Sequence, residues 1–232
     1  MIRTIVVDDH RLVRIALRRL LEDTPNISVV GEAETGEQAL SLVRELRPDV
    51  VLMDILMPGM GGLEATQRIT RGAQAPAVIA LSDCAEQPFP GQMLKAGAVG
   101  SLTKSVDAQE LVLAIKRVFS GKRYLCNEMA QDLASYAYQD NADSPFDTLS
   151  HREMQIMMMV IGCQKVSEIS LNLHLSPKTV NSYRYQNVDK LKVKGDVELV
   201  LLAVKHGIVQ NLARSALPAP PHKLTEQERT VA

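Results

Sequence analysis

Between residues 2 and 120, five short apolar runs are each followed by a longer segment of helical periodicity, and this alternation constrains the chain more than any other feature. Strands joined by helical segments cannot fold back as hairpins. They must lie parallel, with the crossover helices packed on both faces of one sheet. The runs are Ile2 to Val7, Ile27 to Ala33, Val50 to Met53, Ala77 to Leu81 and Val99 to Thr103, which predict a doubly wound, five-stranded parallel domain over residues 1–120. The helical segments carry their own start and stop signals. In the last of them Asp107 can cap the first turn with Glu110 three positions on, Leu111, Ala114, Ile115 and Val118 line one face, and Gly121 ends it.

In an open sheet of this kind, ligands bind where the carboxyl ends of the strands emerge, so the polar residues that follow each run are the ones to inspect. Asp8 and Asp9 follow the first (TIVVDDH), Asp54 ends the third (DVVLMD), Ser82 ends the fourth (VIALSD) and Lys104 ends the fifth (GSLTK). Three carboxylates, a hydroxyl and an amine therefore converge on one edge. Clustered carboxylates repel unless a cation neutralises them, and a hard divalent ion such as Mg²⁺ suits an all-oxygen donor set. One carboxylate can then act as nucleophile toward a phosphoryl group, with the metal and Lys104 stabilising the equatorial oxygens and Ser82 donating to one of them. Asp54, on the central strand of the three, is the candidate acceptor.

Beyond Gly121 a weaker helical segment (Asn127 to Tyr138) leads into QDNADSP, which reads as a linker, so residues 121–146 connect two domains with a boundary near 144. A second domain, 147–209, is all helical. Ser150 and Glu153 form a capping box that opens a helix to Ile161, and further helices are expected over Val166 to Leu173, Pro177 to Leu191 and Asp196 to His206. The remainder, 210–232, holds Pro218, Pro220 and Pro221 with few large apolar residues and is expected to be a disordered tail.

The short helix ending at Leu173, the turn HLS and the proline-led helix SPKTVNSYRYQNVDKL have the proportions of a helix-turn-helix, whose second helix enters the major groove of DNA. Val180, Tyr183 and Leu191 fall on its inward face, and Asn181, Ser182 and Tyr185 point outward. Lys178, Thr179 and Arg184 can clamp phosphates, while Asn181 can read a base edge. The whole chain carries a formal charge of −1, which argues against a uniformly basic binder. The asymmetry is local: residues 145 to 209 hold eight Lys or Arg against six Asp or Glu, whereas residues 1–120 hold thirteen against fifteen. Basic charge thus gathers where phosphate contacts would be needed.

Other chemistries find little support. The N-terminal apolar run is interrupted by Arg3, so no secretory signal is expected, and no segment approaches the roughly 18 apolar residues of a membrane span. Cys84, Cys126 and Cys163 lie far apart without a CxxC spacing, which suggests neither a disulfide framework nor a zinc site and fits a reducing cytoplasm.

The residues now carry a resemblance. The first 120 resemble a response-regulator receiver domain, through the acidic pair (VVDDH), the acceptor motif (MDILMPG), the hydroxyl Ser82 and the lysine Lys104. The resemblance implies a flavodoxin-like fold in which Asp9 ligates Mg²⁺ directly, Asp8 acts through water, and the carbonyl of Leu56 joins Asp54 as a ligand. Two positions depart from the pattern. Receivers carry an aromatic residue two or three before the lysine, where this chain has Ser101, and many have proline after it, where this chain has Ser105. A serine cannot bury a ring's worth of apolar area.

The second domain is similar to the LuxR-type DNA-binding domain of the NarL/FixJ regulators, through LSHRE, SPKTVNSYR, KL and GIV. The stretches EQPFPGQMLKAGA, SPFDTLSHREMQI, CQKV and DVELVLLAVKHGIV resemble the GacA/UvrY/SirA subgroup. This implies a two-fold dimer on an inverted-repeat site, a membrane hybrid sensor histidine kinase as phosphodonor, and target genes for small RNAs that sequester a translational repressor. That subgroup would place arginine, isoleucine and an aromatic where Gln186, Asn187 and Val188 stand.

The expected function is therefore a transcription factor, not an enzyme, in which phosphorylation of Asp54 controls DNA binding. A second reading keeps the DNA-binding domain but makes the first domain a phosphorylation-independent dimerisation unit. A third, a metal-dependent phosphatase, lacks a substrate cleft in the second domain.

Overall fold

The protein is described by a computed structural model, which covers residues 1–72, 74–82, 89–126, 130 and 145–206. The helix expected over Asn127 to Tyr138, most of the linker and the C-terminal tail lie outside the described residues.

The apolar runs form the strands expected of them: β1 (Ile2–Val7), β2 (Ile27–Ala33), β3 (Val50–Asp54), β4 (Ala77–Ser82) and β5 (Gly100–Thr103). Between them stand α1 (Arg11–Glu22), α2 (Gly36–Leu46), α3 (Gly62–Thr70) and α4 (Phe89–Lys95), and α5 (Ala108–Phe119) follows. The sheet has six strands, not five, because Tyr124–Leu125 adds β6 beside β5. All pairings are parallel, in the order β2-β1-β3-β4-β5-β6. A two-residue strand is too short to show any period in the sequence. It forms because Gly121, at φ +80, turns the chain after α5 so that Tyr124 can pair with Gly100, where the Tyr124 hydroxyl donates to Glu110 Oε1 at 3.1 Å.

Side-chain alternation along the strands divides the core. Val6, Val50, Leu52, Ile79 and Leu102 face α1 and α5, meeting Leu21, Leu111, Ile115 and Val118. Ile5, Val7, Val51, Met53 and Val78 face the other way and meet Ala39, Leu63, Ile69 and Met93 of α2, α3 and α4. Asp107 caps α5 by accepting from Glu110 N–H, as its spacing predicts.

A 3-10 turn (Pro145–Thr148) opens the second domain, followed by α6 (His151–Ile161), α7 (Val166–Leu173), α8 (Pro177–Lys190) and α9 (Asp196–Lys205). Both arms of the Ser150/Glu153 capping box are formed, and Ser176 caps α8 with Pro177 in its first turn. Phe146, Met154, Met157, Ile161, Leu191 and Leu199 form this domain's core, and they are continuous with the α2/α3/α4 side of the first domain.

Two contacts anchor α8 to the start of α6. Lys190 Nζ lies 2.7 Å from Glu153 Oε2, and Asn187 Nδ2 donates to the Glu153 carbonyl at 2.9 Å. Burial pushes the Glu153 carboxyl up, but Lys190 together with the backbone N–H and hydroxyl of Ser150 outweighs it and holds the group below the usual carboxylate range. Asn187 is only half satisfied, because it is 1% exposed and its Oδ1 has no hydrogen-bond partner. An orphaned buried acceptor costs about 1–3 kcal/mol. Asn187→Leu is therefore expected to stabilise the second domain by about 1–2 kcal/mol in urea unfolding, whereas a loss of stability would mean that Oδ1 has found a partner.

Candidate functional site: an acidic pocket beneath a docked helix-turn-helix

The strand-end residues meet. Asp54 is the last residue of β3 and Ser82 the last of β4, while Asp8 follows β1 directly and Lys104 follows β5. Lys104 Nζ lies 2.9 Å from Asp8 Oδ2 and 3.0 Å from Asp54 Oδ2, bridging two carboxylates whose side chains are 0% and 3% exposed. The Lys104 backbone N–H also donates to the Ser82 carbonyl at 2.7 Å, locking the end of β5 to the end of β4. Ser82 itself is buried. Leu56 N–H reaches Asp54 Oδ1 at 3.4 Å, which sets this residue's backbone at the rim of the pocket.

The donor set fits a hard cation. Ligand atoms of Asp8, Asp9, His10 and Asp54 all lie within 4.8 Å of one another. Asp8 Oδ2 and Asp9 Oδ1 are buried oxygens with charged neighbours but no aligned hydrogen-bond donor, a state that a divalent ion would relieve. His10 is the member of this cluster that sequence reasoning left without a role. Its Nδ1 stands 2.9 Å from Asp9 Oδ1, and its backbone N–H donates to Asp8 Oδ1 at 2.8 Å.

Of the two departures, Ser101 is fully buried, paired with Ala80 and Leu125, and its Oγ has no hydrogen-bond partner. Ser105 Oγ lies 2.8 Å from the hydroxyl of Thr103, a contact that proline could not make.

On α8, Lys178, Ser182 and Tyr185 share one exposed face at helical spacing, with Tyr185 76% exposed. Thr179, Asn181 and Arg184 are half-buried. Thr179 Oγ1 shares a 2.8 Å contact with the Ser176 hydroxyl, and Ser182 Oγ donates to the Lys178 carbonyl. Arg184 is held within the domain by an ion pair to Asp196 and a 3.3 Å hydrogen bond to Asn181 Oδ1. It must leave Asp196 to reach a phosphate. Val197, Leu201 and Val204 form an exposed apolar stripe on α9.

The two domains are joined through the loop that follows Asp54. Gln155 Nε2 donates to the Met57 carbonyl at 2.7 Å, and Arg152 Nη1 to the Gly59 carbonyl at 2.5 Å. Arg152 Nη2 caps the end of α7 at the Leu173 carbonyl (2.9 Å), while Gly59 N–H donates back to the Asn172 carbonyl at 3.1 Å. Burial lowers the Arg152 guanidinium from its ordinary value without approaching neutrality. Arg152 and Gln155 lie within the LSHREMQI stretch, but nothing in the sequence signals their role at the junction, because each acts on backbone atoms more than 90 residues away.

Comparison with known proteins agrees with this geometry. Residues 4–116 match the response regulator receiver domain and residues 147–203 the luxR family of bacterial regulatory proteins. The response regulator GacA of Pseudomonas protegens is 54% identical over 209 residues, covering 90% of this chain and 98% of that protein. This chain belongs to the LuxR-type two-component response regulators, in the group of GacA and UvrY. The regulator is also 51% identical to UvrY of Escherichia coli K12, over 90% of this chain and 96% of that one. Among solved structures, a LuxR-family response regulator from Aurantimonas is 39% identical with a TM-score of 0.57, covering 59% of the regulator and 98% of that chain. A DNA complex of RcsB, 24% identical with a TM-score of 0.55, covers 88% of the regulator and 98% of that chain, and shares its fold.

The regulator is thus a DNA-binding transcription regulator, built from a parallel α/β receiver and a helical DNA-binding domain. Among the described residues no helix is long and apolar enough to cross a membrane. Cys126 is buried and Cys163 exposed, both as free thiols, and Cys84 lies outside the described residues.

Proposed function

We propose that Asp54 accepts a phosphoryl group from a sensor histidine kinase and that the modified receiver, spanning 1–120, controls how the domain at 147–209 engages DNA. The observation that carries this reading is the bridging of Asp54 and Asp8 by Lys104 at the one sheet edge where Ser82 also ends. Transfer forms a bond between an Asp54 carboxylate oxygen and phosphorus as the donor's phosphorus–nitrogen bond breaks, its electron pair staying on the donor imidazole nitrogen, which takes up a proton from solvent. Lys104 and the Ser82 hydroxyl would hold the transferred group's oxygens, a reading supported by their place at the ends of β5 and β4 beside Asp54. Asp8, Asp9, Asp54 and the Leu56 carbonyl would hold Mg²⁺, which supplies charge neutralisation for the incoming phosphoryl group.

Lys178, Ser182 and Tyr185 present the DNA-facing surface of α8, with Thr179, Asn181 and Arg184 at its margin. Lys178, Thr179 and Arg184 serve phosphates, and Asn181 a base edge. The apolar stripe of α9 supports a homodimer on a two-fold site. A membrane hybrid kinase as donor, small-RNA genes as targets and action in the cytoplasm complete the proposal, on the resemblance of EQPFPGQMLKAGA, SPFDTLSHREMQI and DVELVLLAVKHGIV to the GacA/UvrY/SirA subgroup. Residues 121–146 serve as the linker and 210–232 as a tail.

Genome-wide footprinting with the wild type and Asp54→Asn tests the reading. Under phosphodonor and Mg²⁺ the wild type is expected to gain operator occupancy that the variant does not. Ser101 favours the alternative in which the receiver acts only as a dimerisation unit, and equal occupancy by both proteins would establish that alternative.

A further inference from the structure

Arg14 is the one arginine of α1 that is buried, at 5% exposure, and it lies one helical turn from the acid pair that opens the pocket. Its Nη1 donates to two successive carbonyls, those of Asp8 at 2.7 Å and Asp9 at 3.2 Å. Its far side is held by carboxylates, with Glu34 on Nη2 and Glu32 Oε2 at 3.6 Å from Nε. The guanidinium touches neither Asp54 nor Lys104 in any contact described above. It grips the backbone from which both acidic side chains project.

We propose that Arg14 is the positioning residue of the metal site: by holding the Asp8 and Asp9 carbonyls on one nitrogen, it turns both carboxylates toward Asp54 and thereby sets the affinity for Mg²⁺. This rests on reading the pocket as a Mg²⁺ and phosphoryl site. A planar fork is needed, because one nitrogen must meet two carbonyls while the others stay on Glu32 and Glu34, and a lysine offers only a point charge for one of these tasks. Glu32 and Glu34, from the end of β2 and the loop after it, act through Arg14 by fixing the plane of the fork. Outer groups that orient metal ligands typically change metal affinity by about 10–100-fold when removed.

The test is Mg²⁺ titration by calorimetry of the full-length protein, alongside the rate of labelling by acetyl phosphate as a function of Mg²⁺. Arg14→Met is expected to raise the Mg²⁺ Kd by about 10–100-fold. Arg14→Lys should recover part of that loss, and saturating Mg²⁺ should restore the labelling rate, which a damaged receiver would not allow. Arg68→Ala, which removes an i,i+4 ion pair with Glu64 and shares no partner with Arg14, should leave Mg²⁺ affinity unchanged. If Arg14→Met fails to fold, Glu34→Gln, which only loosens the guanidinium, should still raise the Kd several-fold against the same Arg68→Ala control, whose ion pair touches neither Arg14 nor its carboxylates. Unchanged Kd in the folded Arg14 variants, or in Glu34→Gln where they do not fold, overturns the proposal. A wild type that binds no Mg²⁺ overturns the reading of the pocket, and the proposal with it.

Discussion

Replacing Lys104 with alanine is expected to lower the unfolding free energy of the receiver by about 3–5 kcal/mol in metal-free buffer, because it removes the cation that bridges two buried carboxylates. Asp8 and Asp54 are both within 3.0 Å of that ammonium, and neither carboxylate can reach bulk water as the pocket stands. Added Mg²⁺ should return much of the loss, since an ion that binds the folded state alone stabilises it by mass action. Urea unfolding of the wild type and Lys104→Ala, each with EDTA and with excess Mg²⁺, measures both effects. Equal stability without metal would mean that Lys104 does not bridge the two carboxylates in solution.

The second large effect concerns the junction between domains. Removing Arg152 and Gln155 together, as Arg152→Ala with Gln155→Ala, deletes the hydrogen bonds to the Gly59 and Met57 carbonyls. One is charge-assisted and the other is buried, so docking should weaken by about 2–4 kcal/mol, or roughly 30- to several-hundred-fold. The loop concerned begins at Ile55, directly after the acceptor, and its N–H groups already answer to both sites: Leu56 reaches Asp54, and Gly59 reaches Asn172 on α7. A charge placed on Asp54 therefore acts on the same few peptides that hold the second domain. Docking leaves exposed the faces of α8 and α9 that are proposed to meet DNA and a second copy. What docking constrains is where they can go. The double variant is expected to melt in two transitions rather than one and to bind operator DNA with the same affinity whether or not phosphodonor is present. A persisting phosphodonor effect would place the coupling elsewhere.

Much of this was legible before any fold was known, and for a definable reason. Strand ends announce themselves, because an apolar run stops where a polar residue begins, and in a parallel sheet all such ends lie on one edge. Asp8, Asp54, Ser82 and Lys104 could therefore be assembled from four local transitions. Helix caps are equally local: Asp107 accepts from Glu110 N–H, and Ser150 with Glu153 closes a full capping box, each within three residues. The burial of Asn187 and its unpaired Oδ1 were not legible in this way, because they depend on how α8 meets Glu153 of α6.

What the amino-acid sequence determined by itself, then, was the set of elements and the group of side chains they bring to the pocket, since both arise from periodicity and from interactions within a few residues. The tertiary structure decided the rest. It added β6, whose two residues show no period, and it turned Arg14 inward to carbonyls whose positions no pattern of side chains encodes. It also joined Arg152 and Gln155 to the loop after Asp54, and it withdrew Arg184 into an ion pair with Asp196. In most of these contacts a side chain meets backbone or charge brought close only by folding, so the information lies in the geometry of the assembled chain.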